Sequence, residues 1–285
     1  MGNENIFAQM NGNWIRWSEY CVRDGYIMPA ENALMMMYDA VAERHDMLCY
    51  ALNCGRRLAA KESVEEVCLD FVSHYGVVGW LTALPADSDF QEQQVTYLRY
   101  AGYVSSEKMV ATKDYIAIFF PKGSELVQNS IAQLTNRDAV FNKVFSKFYG
   151  EPVAWTATML LALYEHYCCG EEMAKPDLSE KMSKDLKRRL ELKETLGLSM
   201  HISFKSAMHC SYEMDSLRTL LLFTYSQAQC PADKQPSPLK RCKRCGAVYY
   251  NENNRSEFCS TRCRNHYNVV VFRERHRSDN NKKAK

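Results

Sequence analysis

Glycine is scarce in this chain, 12 of 285 residues. Little material is left for the glycine-rich loops that wrap phosphates, and no phosphate-cradling motif occurs. Neither H-E-x-x-H nor G-x-S-x-G is present, which excludes two common hydrolase signatures. Long apolar runs are missing too. The longest charge-free one covers about residues 152–164, short of the roughly 18–20 that a spanning helix needs. No membrane partner is expected. The first residues, Met1-Gly2-Asn3-Glu4-Asn5-Ile6, show no basic region followed by an apolar run. Ile6 also stands where a myristoylation signal has Ser or Thr. A cytoplasmic protein is the expectation. Aromatic residues, by contrast, are plentiful: 4 Trp, 17 Tyr and 12 Phe exclude a chain too polar to collapse. The length suits one or two domains with a real core.

Net charge is only +2, but it is unevenly placed. Residues 240–285 hold 13 Lys or Arg against four acids, a balance of +9, so the remainder carries −7. A basic tail on a mildly acidic body points to a negative partner: nucleic acid, an acidic protein, or the body itself.

Twelve cysteines are present. Cys21, Cys49, Cys54, Cys68, Cys168, Cys169, Cys210 and Cys230 are scattered and read as small buried hydrophobes in a reducing compartment. His166, Cys168 and Cys169 lie close in sequence, but adjacent cysteines diverge by about 100° on a helix and serve one ion poorly. They read as core residues at a helix end.

The fold class expected is mainly α with minor β hairpins. Asn11-Gly12 and Asp24-Gly25 are turn pairs among short strands in residues 6–28. Helical spacing follows over about residues 32–58. A second helix is expected over residues 63–74, with Ser63-Val64-Glu65-Glu66 as a capping box and Gly76 as its stop. Residues 77–89 read as loop and 114–120 as strand. Helices are expected over 124–148, 153–169 and 178–196, strand character over 198–212, and helix again over 214–228. Three prolines, Pro231, Pro236 and Pro238, then interrupt any helix and suggest a linker. Two units are expected: a mainly helical body over residues 1–232 and a small C-terminal module over 236–285.

That module carries the one strong motif. Cys242-Lys243-Arg244-Cys245 and Cys259-Ser260-Thr261-Arg262-Cys263 give C-x2-C-x13-C-x3-C. Four thiolates at such spacing suit a tetrahedral zinc ion, and with all positions filled the metal is structural, not catalytic. A module this small has too little apolar material to fold alone, so metal supplies the missing free energy. Ala247 to Tyr250 is expected to pair with Glu257-Phe258. Cys259 and Cys263 should face the same way on a helix's first turn. Further along, Cys263, Tyr267, Val270 and Val271 share one arc. Arg262, His266, Arg273 and Arg277 lie on one flank, Arg264 and Arg275 on the other. Arginine forks suit phosphate, so Arg262, Arg264, Arg273, Arg275 and Arg277 are candidate nucleic-acid contacts. Tyr249, Tyr250 and Tyr267 either stack on bases or form the module's small core.

Phe258-Cys259-Ser260, Cys263-Arg264 and the basic helix behind them resemble the treble-clef or zinc-ribbon fingers that close many bacterial proteins. The segment is similar to CGNR-type zinc fingers, where a mainly helical N-terminal region precedes such a finger. That family reads Cys-Gly-Asn-Arg at its last ligand; here the residues are Cys263-Arg264-Asn265-His266. Tyr75-Gly76-Val77-Val78-Gly79 also resembles an element of proteins that carry these fingers. The resemblance implies a bacterial-type DNA-binding or regulatory protein, and supplies no substrate or catalytic residue. The alternative is a protein–protein module in a regulatory, toxin–antitoxin or phage-defence assembly. An enzyme with its site in the body is a third expectation.

Overall fold

In the computed structural model the described residues are 7–10, 12–23, 25–30, 33–78, 80–83, 96–97, 104–105, 108–109, 149–191, 196, 198–204, 208–214, 216–230, 236–251 and 256–283. About half of them are helical, and the strands form small antiparallel sheets. The expected strand over residues 114–120, the helix over 124–148, and Ile6 and Asn11 lie outside these residues.

Strand β1 (Asn13–Trp17) pairs antiparallel with β4 (Met35–Asp39), which sets Trp14 opposite Tyr38. Between them, β2 (Tyr20–Arg23) and β3 (Tyr26–Pro29) form a hairpin. Gly25 turns it with φ of +82°, a left-handed angle that favours glycine, as the Asp24-Gly25 pair implies. Trp80–Ala83 (β5), Thr96–Tyr97 (β6) and Tyr149–Pro152 (β9) complete a five-stranded sheet of order β2-β3-β9-β5-β6. Val104–Ser105 (β7) and Lys108–Met109 (β8) pair separately.

Helix α1 (Arg44–Ala59) is shorter than the spacing predicts. Residues 35–39 belong instead to β4, where pairing with β1 outweighs a helical spacing that short apolar runs satisfy equally well. Trp80–Ala83 is likewise strand where loop is expected. Helix α2 (Val64–Tyr75) matches its signals closely: the Ser63 side chain accepts from the Glu66 N–H, and Gly76 ends the helix at φ +87°. Helix α3 (Val153–Met173) is the long central element. Helix α4 (Glu180–Leu190) stops before the expected residue 196, with Glu191 extended. Leu198–Phe204 (β10) and Met208–Met214 (β11) form a second hairpin, followed by α5 (Leu217–Gln229) capped by Ser216.

The core is helical at its centre. Met47, Leu48 and Leu52 of α1 meet Phe71 and Val72 of α2, Leu160 of α3 and Leu220 of α5, all essentially without exposure. Helices α1 and α3 pass so closely at Gly55 that a methyl group there would strike the Leu160 carbonyl. The core does not end at the proline-rich segment. Leu239 and Val248 of the C-terminal module are buried in it.

Candidate metal centre and basic helix

The module begins with β12 (Leu239–Arg241), paired antiparallel with β13 (Val248–Tyr250). This replaces the expected pairing of residues 247–250 with Glu257-Phe258. The strand preceding the first cysteine is the nearer partner, because the Cys242–Ala247 turn folds it straight back. In that turn the Cys242 N–H donates to the Ala247 carbonyl (2.9 Å), and the Gly246 N–H donates to the Cys242 carbonyl (2.9 Å). Gly246 has φ of +72°, so the residue after the second cysteine needs glycine's freedom. The second cysteine pair is drawn in by the Lys243 N–H, which donates to the Glu257 carbonyl at 3.1 Å.

Helix α6 (Thr261–Lys283) starts just after Cys259. Ser260 caps it: the Cys263 N–H donates to the Ser260 hydroxyl (3.2 Å). Cys259 therefore sits two residues before the helix, not on its first turn, while Cys263 is on it. The two still converge, with Sγ atoms 3.6 Å apart, and Cys245 Sγ lies 3.7 Å from Cys259 Sγ. The ligand atoms of Cys242, Cys245, Cys259 and Cys263 all fall within 4.8 Å of one another. These four cysteines lie close enough to bind one metal ion.

Their electrostatics fit a cation. Burial would raise the Cys242 thiol, but backbone N–H groups of Cys259, Cys245 and Arg244 donate to its sulfur and bring it down to about 6. Burial and the crowding thiols of Cys263, Cys242 and Cys245 push Cys259 up to about 12. Cys245 is also raised, chiefly by burial. Four thiolates cannot all ionise side by side without a positive charge among them, which a divalent ion provides. The scattered thiols behave differently. Burial pushes Cys49, Cys54 and Cys68 each to about 12, which leaves them protonated and inert. Cys169 is buried, and His166 is half-buried, its Nδ1 meeting the Tyr225 hydroxyl (2.7 Å) and its Nε2 the Leu190 carbonyl (3.2 Å).

The candidate phosphate contacts are strung along α6 and not gathered. Arg262 and Arg264 are exposed near its start, and Arg273 is exposed further on. At 1.5 Å rise per residue, Arg262 and Arg273 stand roughly 16 Å apart along the axis. Arg275 and Arg277 continue the same helix. Of the expected apolar arc, Tyr267 is half-buried and its ring lies 5.2 Å from that of Phe258, while Val270 is exposed. Val269 and Phe272 are exposed as well. Arg244 folds back on the helix, its Nε donating to His266 Nδ1 at 2.9 Å.

Residues of the body that hold the module are not evident in the sequence. Asn53 of α1 bonds the backbone of Val248, and the His45 ring stacks on Tyr250 with centroids 3.8 Å apart. Arg241 donates to the Glu171 carboxylate through Nε (3.0 Å) and Nη2 (2.5 Å), and to the Tyr164 hydroxyl (2.8 Å). Asn53 is an ordinary polar residue on a helix, and no local pattern announces its partner 195 positions away. A cavity of about 420 Å³ opens where module and body meet, near Glu171, Arg241, Tyr249 and Glu257. Its cations Arg241 and Lys243 are already paired, with Glu171 and Glu257.

Compared with protein-family models, curated proteins and solved structures, the chain matches none. Among the described residues no helix is long and apolar enough to cross a membrane.

Proposed function

We propose that Cys242, Cys245, Cys259 and Cys263 hold one structural zinc ion in a finger of the treble-clef or ribbon kind. We further propose that α6 of this finger contacts nucleic-acid phosphates in a regulatory protein. The donor set supports zinc. A zinc–thiolate bond of ~2.3 Å in a regular tetrahedron separates sulfurs by ~3.8 Å. The two close pairs here stand at 3.7 and 3.6 Å. Four protein thiolates leave no position for water, so the ion supplies folding free energy and no chemistry.

One observation carries the nucleic-acid reading. Among the described residues, Arg262, Arg264 and Arg273 make no ion pair, although Arg241 and Lys243 of the same module are paired with acids. Arg241 is thus spent on the body and Lys243 on the module's own Glu257, whereas Arg262, Arg264 and Arg273 stand exposed. Guanidinium forks suit phosphate oxygens. The resemblance to CGNR-type fingers points the same way. The test is competition at equal charge: random-sequence duplex DNA, RNA and polyglutamate against a labelled duplex. Displacement by nucleic acid and not by polyglutamate is expected. Equal displacement by polyglutamate would favour the second reading, an acidic protein partner, for which exposed Val269, Val270 and Phe272 on the same helix supply apolar contact.

A further inference from the structure

The β10–β11 hairpin has one wholly uncharged, apolar face. On β10, Leu198, Met200, Ile202 and Phe204 alternate with Ser199, His201 and Ser203. The register sets Met214, Tyr212, Cys210 and Met208 opposite the apolar set. Cross-strand partners share a face, so all eight lie on one side. Exposure is least at the inner end, where Met214 is 4% and Leu198 39% exposed, and greatest at the outer end, where Met208 is 68% and Phe204 72%, with Met200 at 60% and Ile202 at 54% between them. The inner end is anchored, because the Tyr212 N–H donates to the Gln9 carbonyl (3.0 Å) and α5 follows directly. The hairpin is an arm held at one end and apolar at the other.

Such an arm is costly alone in water. A two-stranded ribbon is marginally stable by itself. Residues 198–204 also hold no Lys, Glu or Pro, the usual protections of an exposed strand. We propose that this face packs against the same face of a second copy of the chain across a two-fold axis. Apposing the face on itself brings no like charges together, and the contact is isologous. The area also fits. At ~150–250 Å² for a large side chain, the five most exposed residues leave roughly 600 Å² per copy. Two copies bury roughly 1,200 Å², the lower bound of a stable specific interface, while roughly 600 Å² on one copy is the upper end of what a monomer leaves bare.

Sedimentation velocity of the full, metal-loaded chain from 1 to 100 µM tests this, with the double variant Ile202→Glu, Phe204→Glu beside it. Both positions are exposed, so the variant keeps its circular dichroism. Wild type should dimerise in this range, and the variant's dissociation constant should rise more than ~30-fold. Ser203→Glu, on the polar side, should dimerise like wild type. A dimer equally strong in the double variant would place the interface elsewhere and overturn the proposal. A monomeric wild type at 100 µM would also overturn it. Hydrogen exchange at β10 would then separate cover by the chain itself, which protects the strand, from a face kept for another macromolecule, which does not.

Discussion

Asn53 and Val248 are joined by two hydrogen bonds across 195 positions of sequence: Asn53 Nδ2 donates to the Val248 carbonyl at 2.8 Å, and the Val248 N–H donates to Asn53 Oδ1 at 2.9 Å. The side-chain amide acts as one more residue of sheet, completing the edge of β13 from a helix of the body. Val248 itself is buried, so its backbone groups have no water to turn to.

Asn53→Ala removes both bonds and leaves a buried donor and acceptor without partners. The expected cost is about 1–3 kcal/mol. It should appear as a lower denaturant midpoint and as faster amide exchange at Val248. Asn53→Asp should cost at least as much, because a carboxylate cannot donate to the Val248 carbonyl. Unchanged exchange at Val248 in both variants would show that the pair does not hold the finger.

Metal and body are coupled through the same contact. Cys242→Ser should bring bound metal down from one ion per chain and unfold β12, β13 and the start of α6. The body's helices should persist but lose the burial of Leu239 and Val248, about 3–5 kcal/mol together. Metal analysis with urea denaturation followed by circular dichroism checks both parts. A body whose stability is indifferent to the metal would mean that the finger's hairpin is not part of the core.

What was legible in the sequence was local. Gly25, Ser63, Gly76 and Gly246 act within a few residues, and their steric or capping demands show in the order of residues alone. The Cys242/Cys245 and Cys259/Cys263 spacing is similarly self-contained. The pairings that place these pieces are not local. Ile27 meets Glu151, and Val248 meets Asn53, through contacts that only the closed core determines. Residues 35–39 depart from the helical spacing of 32–58 for this reason: β4 exists because β1 lies beside it. Pro231, Pro236 and Pro238 suggest a linker, and no residue near them announces that Leu239 and Val248 pack in the buried cluster with the body.

Acid should loosen the docked finger. His45 is held at about 4 by burial, with Arg44 adding to the effect, whereas an unfolded histidine titrates near 6.5. Between these values the unfolded chain binds a proton that the folded chain refuses. This contribution is therefore complete above about pH 6.5 and is lost as pH falls towards 4. His45→Phe keeps a ring against Tyr250 but cannot titrate. The stability difference between wild type and His45→Phe should shift in favour of the variant as pH drops from 7 to 4, measured by thermal denaturation. A difference that stays flat with pH would contradict the assignment.

Gly55 fixes the approach of α1 to α3. Gly55→Ala would normally strengthen a helix by up to about 1 kcal/mol. Here the added methyl meets the Leu160 carbonyl, which belongs to a helix backbone and cannot swing away. A net loss of about 1–3 kcal/mol is expected, read as a lower urea midpoint. A stabilised variant would show that the two helices can separate freely.

The salt dependence of binding tests the proposed phosphate contacts of α6 most directly. Zinc-loaded protein is titrated with random-sequence duplex DNA and with RNA at several salt concentrations. Five arginine contacts give a log–log slope of roughly −4 to −5 on duplex DNA. Arg262→Ala, Arg264→Ala and Arg273→Ala together should make that slope shallower by about 3, with similar losses on every sequence. Absence of binding to either nucleic acid at low salt, or a slope that the triple variant leaves unchanged, would remove the helix from any nucleic-acid interface and turn the search to protein partners.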